Sequence, residues 1–348
     1  MVRPPDEATR QGDSLRHKGD FDGAIAAYTE AIRLNPQDAQ PYSSRGRAYL
    51  QKGELGKAIA DCNQAIQLDP MMAEAYCTRG RSHGKNGDLD KAIADGTEAI
   101  RLDPQSVAAY FVRAIAYLMK DDFDRAAADC TEAIRLDPKS PRAYWARAQL
   151  HSRKGEFNEA IADWTCLIPL EPEPAMAYWG RAAVYHKMGE FDRAIADFTE
   201  CIRLDLRHAD VYCGRGFAYD KKSEFDKAMA DYAEAVRLDP QHDKSYYNRG
   251  LAYMKNGEYY KAIADFTEVI RINPHDAEAY YNRGCAYSKK GDHDNAVIDF
   301  TTAIQIDPSK GYAFYARGWS YLQQSEKARG DADLAQAEKL GYTVTPDS

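Results

Sequence analysis

The chain has 348 residues, 44% of them hydrophobic and 29% charged, with a formal net charge of −8. That balance is ordinary for a folded, water-soluble protein and counts against nonspecific attachment to nucleic acid or an anionic membrane. No apolar stretch approaches the roughly 18 residues that cross a bilayer, and the N-terminal MVRPPDEATRQGD has no apolar core of the kind a secretory signal carries.

The chain is periodic. Proline recurs at one fixed interval, at Pro36, Pro70, Pro104, Pro138 and Pro172, then at Pro240, Pro274 and Pro308, with Leu206 interrupting the series. A period of this size down a whole chain marks a solenoid, in which each unit buries its apolar face against the next. The predicted units are 5–38, 39–72, 73–106, 107–140, 141–174, 175–208, 209–242, 243–276, 277–310 and 311–340, with a short tail over 341–348.

The first unit is atypical: Ala8 stands where later units carry Tyr, and Asp6, Glu7 and Arg10 give it a polar outer side. The second shows the pattern fully. Tyr42, Arg45, Gly46 and Tyr49 lie on one face of a first helix. Gly53 ends it in the left-handed conformation, and glycine returns at 19, 87, 155, 189, 257 and 291. An acid follows in every unit, among them Asp20, Glu54, Asp122 and Glu258, to cap or complement the start of a second helix. Ala58, Cys62 and Ala65 form the buried stripe of that helix, and Leu68-Asp69-Pro70 closes it. Asp38, Ser106, Ser140 and Asp276 are the predicted N-caps of the helices that follow.

Small residues at one first-helix site (Gly12, Gly46, Gly80 and so on) and at one second-helix site (Ala24, Ala58, Ala92 and so on) let the two helices pack closely. Tyrosines in the register of Tyr42, Tyr76 and Tyr110 fill the larger spaces. In the third unit Gly96 removes a core side chain; Pro169, Pro172 and Pro174 cluster at the end of the fifth, where a change of twist is expected. In the tenth, Asp331 and Glu338 replace apolar interface residues, so the array reads as capped at both ends.

Nine arginines, one per unit from Arg45 to Arg317, each precede an aspartate at one constant separation, from Arg45 with Asp61 to Arg317 with Asp333. The first unit lacks both, with Gln11 and Ala27 in their places. Joint loss of both members predicts an ion pair between the first and second helix of the same unit, made by a planar guanidinium that can grip a carboxylate twice. The alternative is nine solvated charges on a helix edge.

The run of aromatic, small residue, Tyr, then Ala, aromatic, Ala and Pro within each period resembles the tetratricopeptide repeat (TPR) family over about 5–340. The arginine beside the small residue departs from the family, which more often has Leu there. The resemblance implies an all-α, right-handed solenoid of antiparallel helix pairs, whose first helices line a concave groove that binds peptides or proteins. Carried onto this sequence, the groove candidates are Arg47, Arg81, Phe111, Trp145, Trp179, Phe217, Tyr247, Asn248, Tyr281, Asn282, Tyr315 and Trp319. Their aromatics are not needed for the Tyr-rich core, so an exposed apolar strip is expected; the alternative is a narrow superhelix that buries them. Asn248 and Asn282 resemble the asparagines with which some TPR grooves hold a peptide backbone, and Lys85, Lys187, Lys221, Lys255 and Lys289 make a basic rim.

The expected function is a non-enzymatic scaffold that binds an extended peptide or protein segment. Alternatives are a regulatory or assembly subunit of an enzyme or membrane complex encoded elsewhere, RNA binding by a helical solenoid, and self-association. No phosphate loop, zinc signature or nucleophile elbow occurs, so no cofactor, metal or catalytic residue is predicted. Nucleic-acid partners and membrane insertion are not expected, and the sequence is compatible with a monomer. Seven cysteines, several at core positions (Cys62, Cys130, Cys201), read as reduced buried hydrophobes in a cytoplasmic protein.

Overall fold

The computed structural model describes residues 5–342; of the expected tail, 343–348 lie outside the described residues, as do residues 1–4 of the N-terminal segment. The chain divides into two compact units, Met1–Ala177 and Tyr178–Ser348. The first holds α1 (Pro5–His17), α2 (Phe21–Leu34), α3 (Ala39–Lys52), α4 (Leu55–Leu68), α5 (Ala73–Lys85), α6 (Leu89–Leu102), α7 (Val107–Met119), α8 (Phe123–Leu136), α9 (Pro141–Lys154) and α10 (Phe157–Leu167). After α10 the proline-rich stretch tightens into a 3-10 turn, Ile168–Leu170. α11 (Ala175–Met188) begins at the division. The second unit continues with α12 (Phe191–Arg203), α13 (Ala209–Lys221), α14 (Phe225–Leu238), α15 (Asp243–Lys255), α16 (Tyr259–Ile272), α17 (Ala277–Lys289), α18 (His293–Ile306), α19 (Gly311–Gln323) and α20 (Lys327–Lys339). Among the described residues every regular element is a helix, and the helices pack as predicted pairs, α1 on α2 through α9 on α10 and α13 on α14 through α19 on α20, while Arg181 and Asp197 join α11 to α12.

Local chemistry sets the helix ends. All seven predicted terminator glycines have positive φ, from 76° at Gly189 to 86° at Gly87 and Gly291. Where the series lacks glycine the backbone still turns left-handed, at Asp121 (φ 57°), Ser223 (φ 63°) and Ser325 (φ 64°). Asp20, Asp122 and Asp292 cap the second helices by accepting from the amide three residues on. The glutamates at this site do not cap. The extra methylene carries the carboxylate past the amide, and Glu54, Glu190, Glu224 and Glu326 instead pair with a cation three residues along. Asp38, Ser106 and Asp276 cap as expected, whereas the Ser140 hydroxyl makes no cap bond.

At residue 206 the break in the proline series has a structural cause. α12 stops at Arg203, Asp205 adopts φ 62°, and the Leu206 amide donates to the Cys201 carbonyl at 3.0 Å. Proline has no such amide and excludes that conformation in the residue before it.

The largest buried side chains are second-helix aromatics, Tyr28, Trp164, Tyr232, Phe266 and Phe300. They lie against the small first-helix residues: a Cβ on Gly284 would come within 2.7 Å of the Phe300 ring, and one on Gly12 within 2.5 Å of Tyr28. The first-helix tyrosines differ from expectation, since most stay half-buried. Their rings flank the arginines instead, with guanidinium carbons 5.3 to 5.9 Å from the centroids of Tyr42, Tyr76, Tyr178, Tyr212, Tyr246 and Tyr280, and their hydroxyls can stay near water.

All nine predicted ion pairs form. Each arginine presents Nε and Nη2 to the two oxygens of its aspartate at 2.6 to 3.0 Å, and the aspartates are buried. A third bond was not anticipated. Nη1 reaches back to the preceding pair, donating to Thr29, Asn63, Thr97 and Thr131 in the first unit and to Thr199, Thr267 and Thr301 in the second, at 2.7 to 3.3 Å. Arg249 makes no such bond, because residue 233 is alanine. Where Nη1 finds an acceptor, the arginine therefore joins its own pair internally and ties it to the preceding one.

Candidate functional site

Within each unit the first helices of successive pairs touch: α3 with α5 and α5 with α7, then α13 with α15, α15 with α17 and α17 with α19. Among the described residues, second helices of successive pairs make no comparable contact. First helices therefore form the inner wall of each unit, where every predicted site residue falls.

In the first unit the wall begins polar. Arg47 is half-buried, pairs with Glu74, and lies near Arg16 and Arg81; burial first, then those like charges, push its guanidinium below the usual range. Arg81 is exposed. Between them the wall is sealed: Ser43 is fully buried with no partner for its hydroxyl, and burial pushes the Cys77 thiol up to about 11. Phe111 is half-buried. Beyond it Ile115 is 51% exposed and Trp145 46%.

In the second unit Trp179 is half-buried beside His208, ring centroids 5.9 Å apart. Phe217 packs on His186 at 4.6 Å under the Lys221 ammonium, and burial lowers the His186 imidazole. Tyr247 receives a hydrogen bond on its hydroxyl from the Asn282 amide at 3.0 Å, and that amide also donates to the Glu278 carbonyl at 2.9 Å. The Asn248 amide points to the Cys213 sulfur at 3.6 Å. Both asparagine amides thus already have partners inside the protein. Tyr281 packs on Tyr312 at 4.6 Å and Tyr315 on Tyr342 at 5.5 Å. Trp319 is 44% exposed, with its ring 5.8 Å from His293.

The wall aromatics do take part in packing, against expectation. Trp145 meets Trp164 edge-on at 6.5 Å, Tyr247 meets Phe266 at 5.9 Å and Tyr281 meets Phe300 at 5.7 Å. In each case the partner is the core ring of the paired second helix, which braces the wall ring; Trp145 stays exposed, whereas Tyr247 and Tyr281 are half-buried.

Sequence reasoning missed a third row, one turn nearer the helix N-termini, in the register Glu74, Asp210, Lys244, Glu278 and Tyr312. In the second unit Glu278 accepts from Lys310 Nζ and Tyr312 Oη. Beside it a cleft of about 390 Å³ is lined by Asp243, Lys244, Tyr247, Asn248, Val269, Asp276 and Glu278. The repeat spacing alone could have revealed this row. Among the described residues no group of three or more His, Cys, Asp or Glu is placed to hold a metal ion, and no helix is long and apolar enough to cross a membrane.

Models of the TPR repeat match residues 12–53, 46–87 and 221–257, and models of the tetratricopeptide repeat match 77–141, 175–208, 243–276 and 277–310. Together they span most of the sequence. The chain belongs to the tetratricopeptide repeat family. TPR chains serve generally as scaffolds for protein–protein contacts, and this one is a scaffold of that general kind. No curated protein matches the sequence. Solved TPR structures do. YrrB, described as a TPR protein with an unusual peptide-binding site, is 26% identical over 55% of this chain and 99% of its own, with a TM-score of 0.47. A tetratricopeptide repeat protein from Parabacteroides merdae is 22% identical over 71% of this chain and 98% of its own, with a TM-score of 0.49. MamA from Desulfovibrio magneticus RS-1 is 20% identical over 50% of this chain and 97% of its own, with a TM-score of 0.46.

Proposed function

We propose that the inner wall of first helices holds an extended peptide or protein segment, and that the chain works as an adaptor with no chemistry of its own. The observation that carries this reading is the exposure of large apolar side chains on that wall, Ile115, Trp145, Leu251 and Trp319. The Trp145 and Trp319 rings, braced by Trp164 and His293, suit anchoring contacts, because little side-chain entropy is left to lose on binding. Phe111 widens the wall of the first unit, and Trp179, Phe217, Tyr247, Tyr281 and Tyr315 that of the second, where Asn248 and Asn282 contribute by fixing it. All seven cysteines are free, which supports a reducing compartment such as the cytoplasm.

The test compares wild type, Trp145→Ala/Trp319→Ala and Ile298→Ala, the last at a 61% exposed second-helix position, in quantitative pull-downs from the native host. Loss of the same partners from the double variant alone is expected. Equal recovery by all three proteins removes the inner wall from the function.

A further inference from the structure

We propose that the inner wall of the first unit selects an acidic and apolar peptide segment, with carboxylates on Arg47 and Arg81 and bulky apolar side chains against Ile115 and Trp145. This rests on the reading of the wall as a peptide site.

The first-unit arginines fall into two sets on different helix faces. Arg45 and Arg79 are satisfied by Asp61 and Asp95 and by the preceding pair. Arg47 and Arg81, two residues further on, face the wall instead. Three arginines gather there, Arg16, Arg47 and Arg81, beside two carboxylates that are already engaged: Asp13 accepts from the Tyr28 hydroxyl at 2.7 Å and pairs with Arg16 at 3.9 Å, and Glu74 lies on Arg47. Arg81 and Lys85 are exposed and form no ion pair among the described residues.

In a chain of net charge −8 this concentration of positive charge runs against the average composition. Crowding like charges around a half-buried guanidinium disfavours the folded chain, so packing gives no reason for it; an arriving carboxylate relieves it.

The neighbouring part of the wall has the opposite character. Ile115, Met119 and Trp145 are about half exposed and apolar. A peptide crossing both regions therefore needs acidic residues next to Leu-, Phe- or Trp-like ones. RNA fits poorly, because small side chains, Ser43 and Cys77, stand beside the arginines where base-stacking rings would be required.

A displayed random dodecapeptide library panned on the full-length protein tests this. Fluorescein-labelled copies of enriched peptides are then titrated by anisotropy. Enriched sequences should pair Asp or Glu with large apolar residues. Affinity should drop about tenfold in Arg81→Glu, less in Arg47→Gln, and should weaken in high salt. Circular dichroism checks that both variants fold, and Arg81→Glu, at an exposed unpaired position, carries the test if Arg47→Gln does not. Peptides without acids, or peptides that ignore Arg81→Glu yet need Trp145, overturn the inference and leave the peptide reading standing. Failure to enrich any peptide, or indifference to both Arg81→Glu and Trp145→Ala, overturns both. Single-stranded RNA that binds through Arg81 in place of peptide also overturns it.

Discussion

Substituting Asp299 by Asn probes the arginine ladder most directly. Asp299 is 3% exposed and accepts two bonds from Arg283, both at 2.8 Å; the third hydrogen bond of that guanidinium goes to Thr267 Oγ1 at 3.1 Å. Asparagine keeps the shape, but its amide nitrogen then faces a guanidinium donor and the counter-charge is gone. Breaking one side of a buried pair costs about 3–5 kcal/mol, against about 0.2–1 for an exposed pair. Each helix pair contacts mainly its neighbours, so a whole-chain melt dilutes the effect. Native-state hydrogen exchange of the α17 and α18 amides reads it locally, and protection there should fall by roughly two to three and a half orders of magnitude. Glu234→Gln, in an exposed pair with Arg237, is the control and should leave protection unchanged. Replacing both partners, Arg283→Met/Asp299→Leu, should restore protection to near wild type, because the cost lies in the stranded charge. Less than a tenfold loss in Asp299→Asn would refute the reasoning.

Ala233→Thr supplies the acceptor that Arg249 lacks and should stabilise α14 and α15 by about 0.5–1.5 kcal/mol, read as a higher urea midpoint. Leu206→Pro restores the repeat consensus yet should destabilise by about 1–3 kcal/mol, since it deletes the bond to Cys201 and forbids the Asp205 conformation; a raised melting temperature would contradict this. Burial pushes the thiols of Cys62, Cys130 and Cys201 up to about 12 from 9.0, so at pH 8 the folded chain holds almost no thiolate at these positions. Iodoacetamide should then label exposed Cys166 in the native protein and those three only after denaturation, by mass spectrometry.

Helix positions were legible because turn residues punctuate each repeat: Gly53 and Gly155 end first helices by a backbone conformation that the residue type itself favours. The ion pairs were legible because Gln11 and Ala27 drop out together. Their extension to Thr29 or Thr267 was not, although the sequence separation is the same as within a pair, since threonine on a helix surface carries little signal by itself. The wall rows could be placed from the period, but their exposure could not. Ser43, Cys77 and Cys213 are buried where neighbouring first helices meet most extensively, whereas Trp145 stays partly open. That difference depends on side-chain volume across an interface. Likewise, whether Asn282 is free to meet a ligand depends on Tyr247, a full repeat away.

The alanine opposite Arg249 has a mechanical consequence. Every other joint between successive helix pairs inside either unit is riveted by a guanidinium bridging both sides; the one from α14 to α15 lacks that rivet. Under tension, or on slow warming, the second unit should part first along that seam.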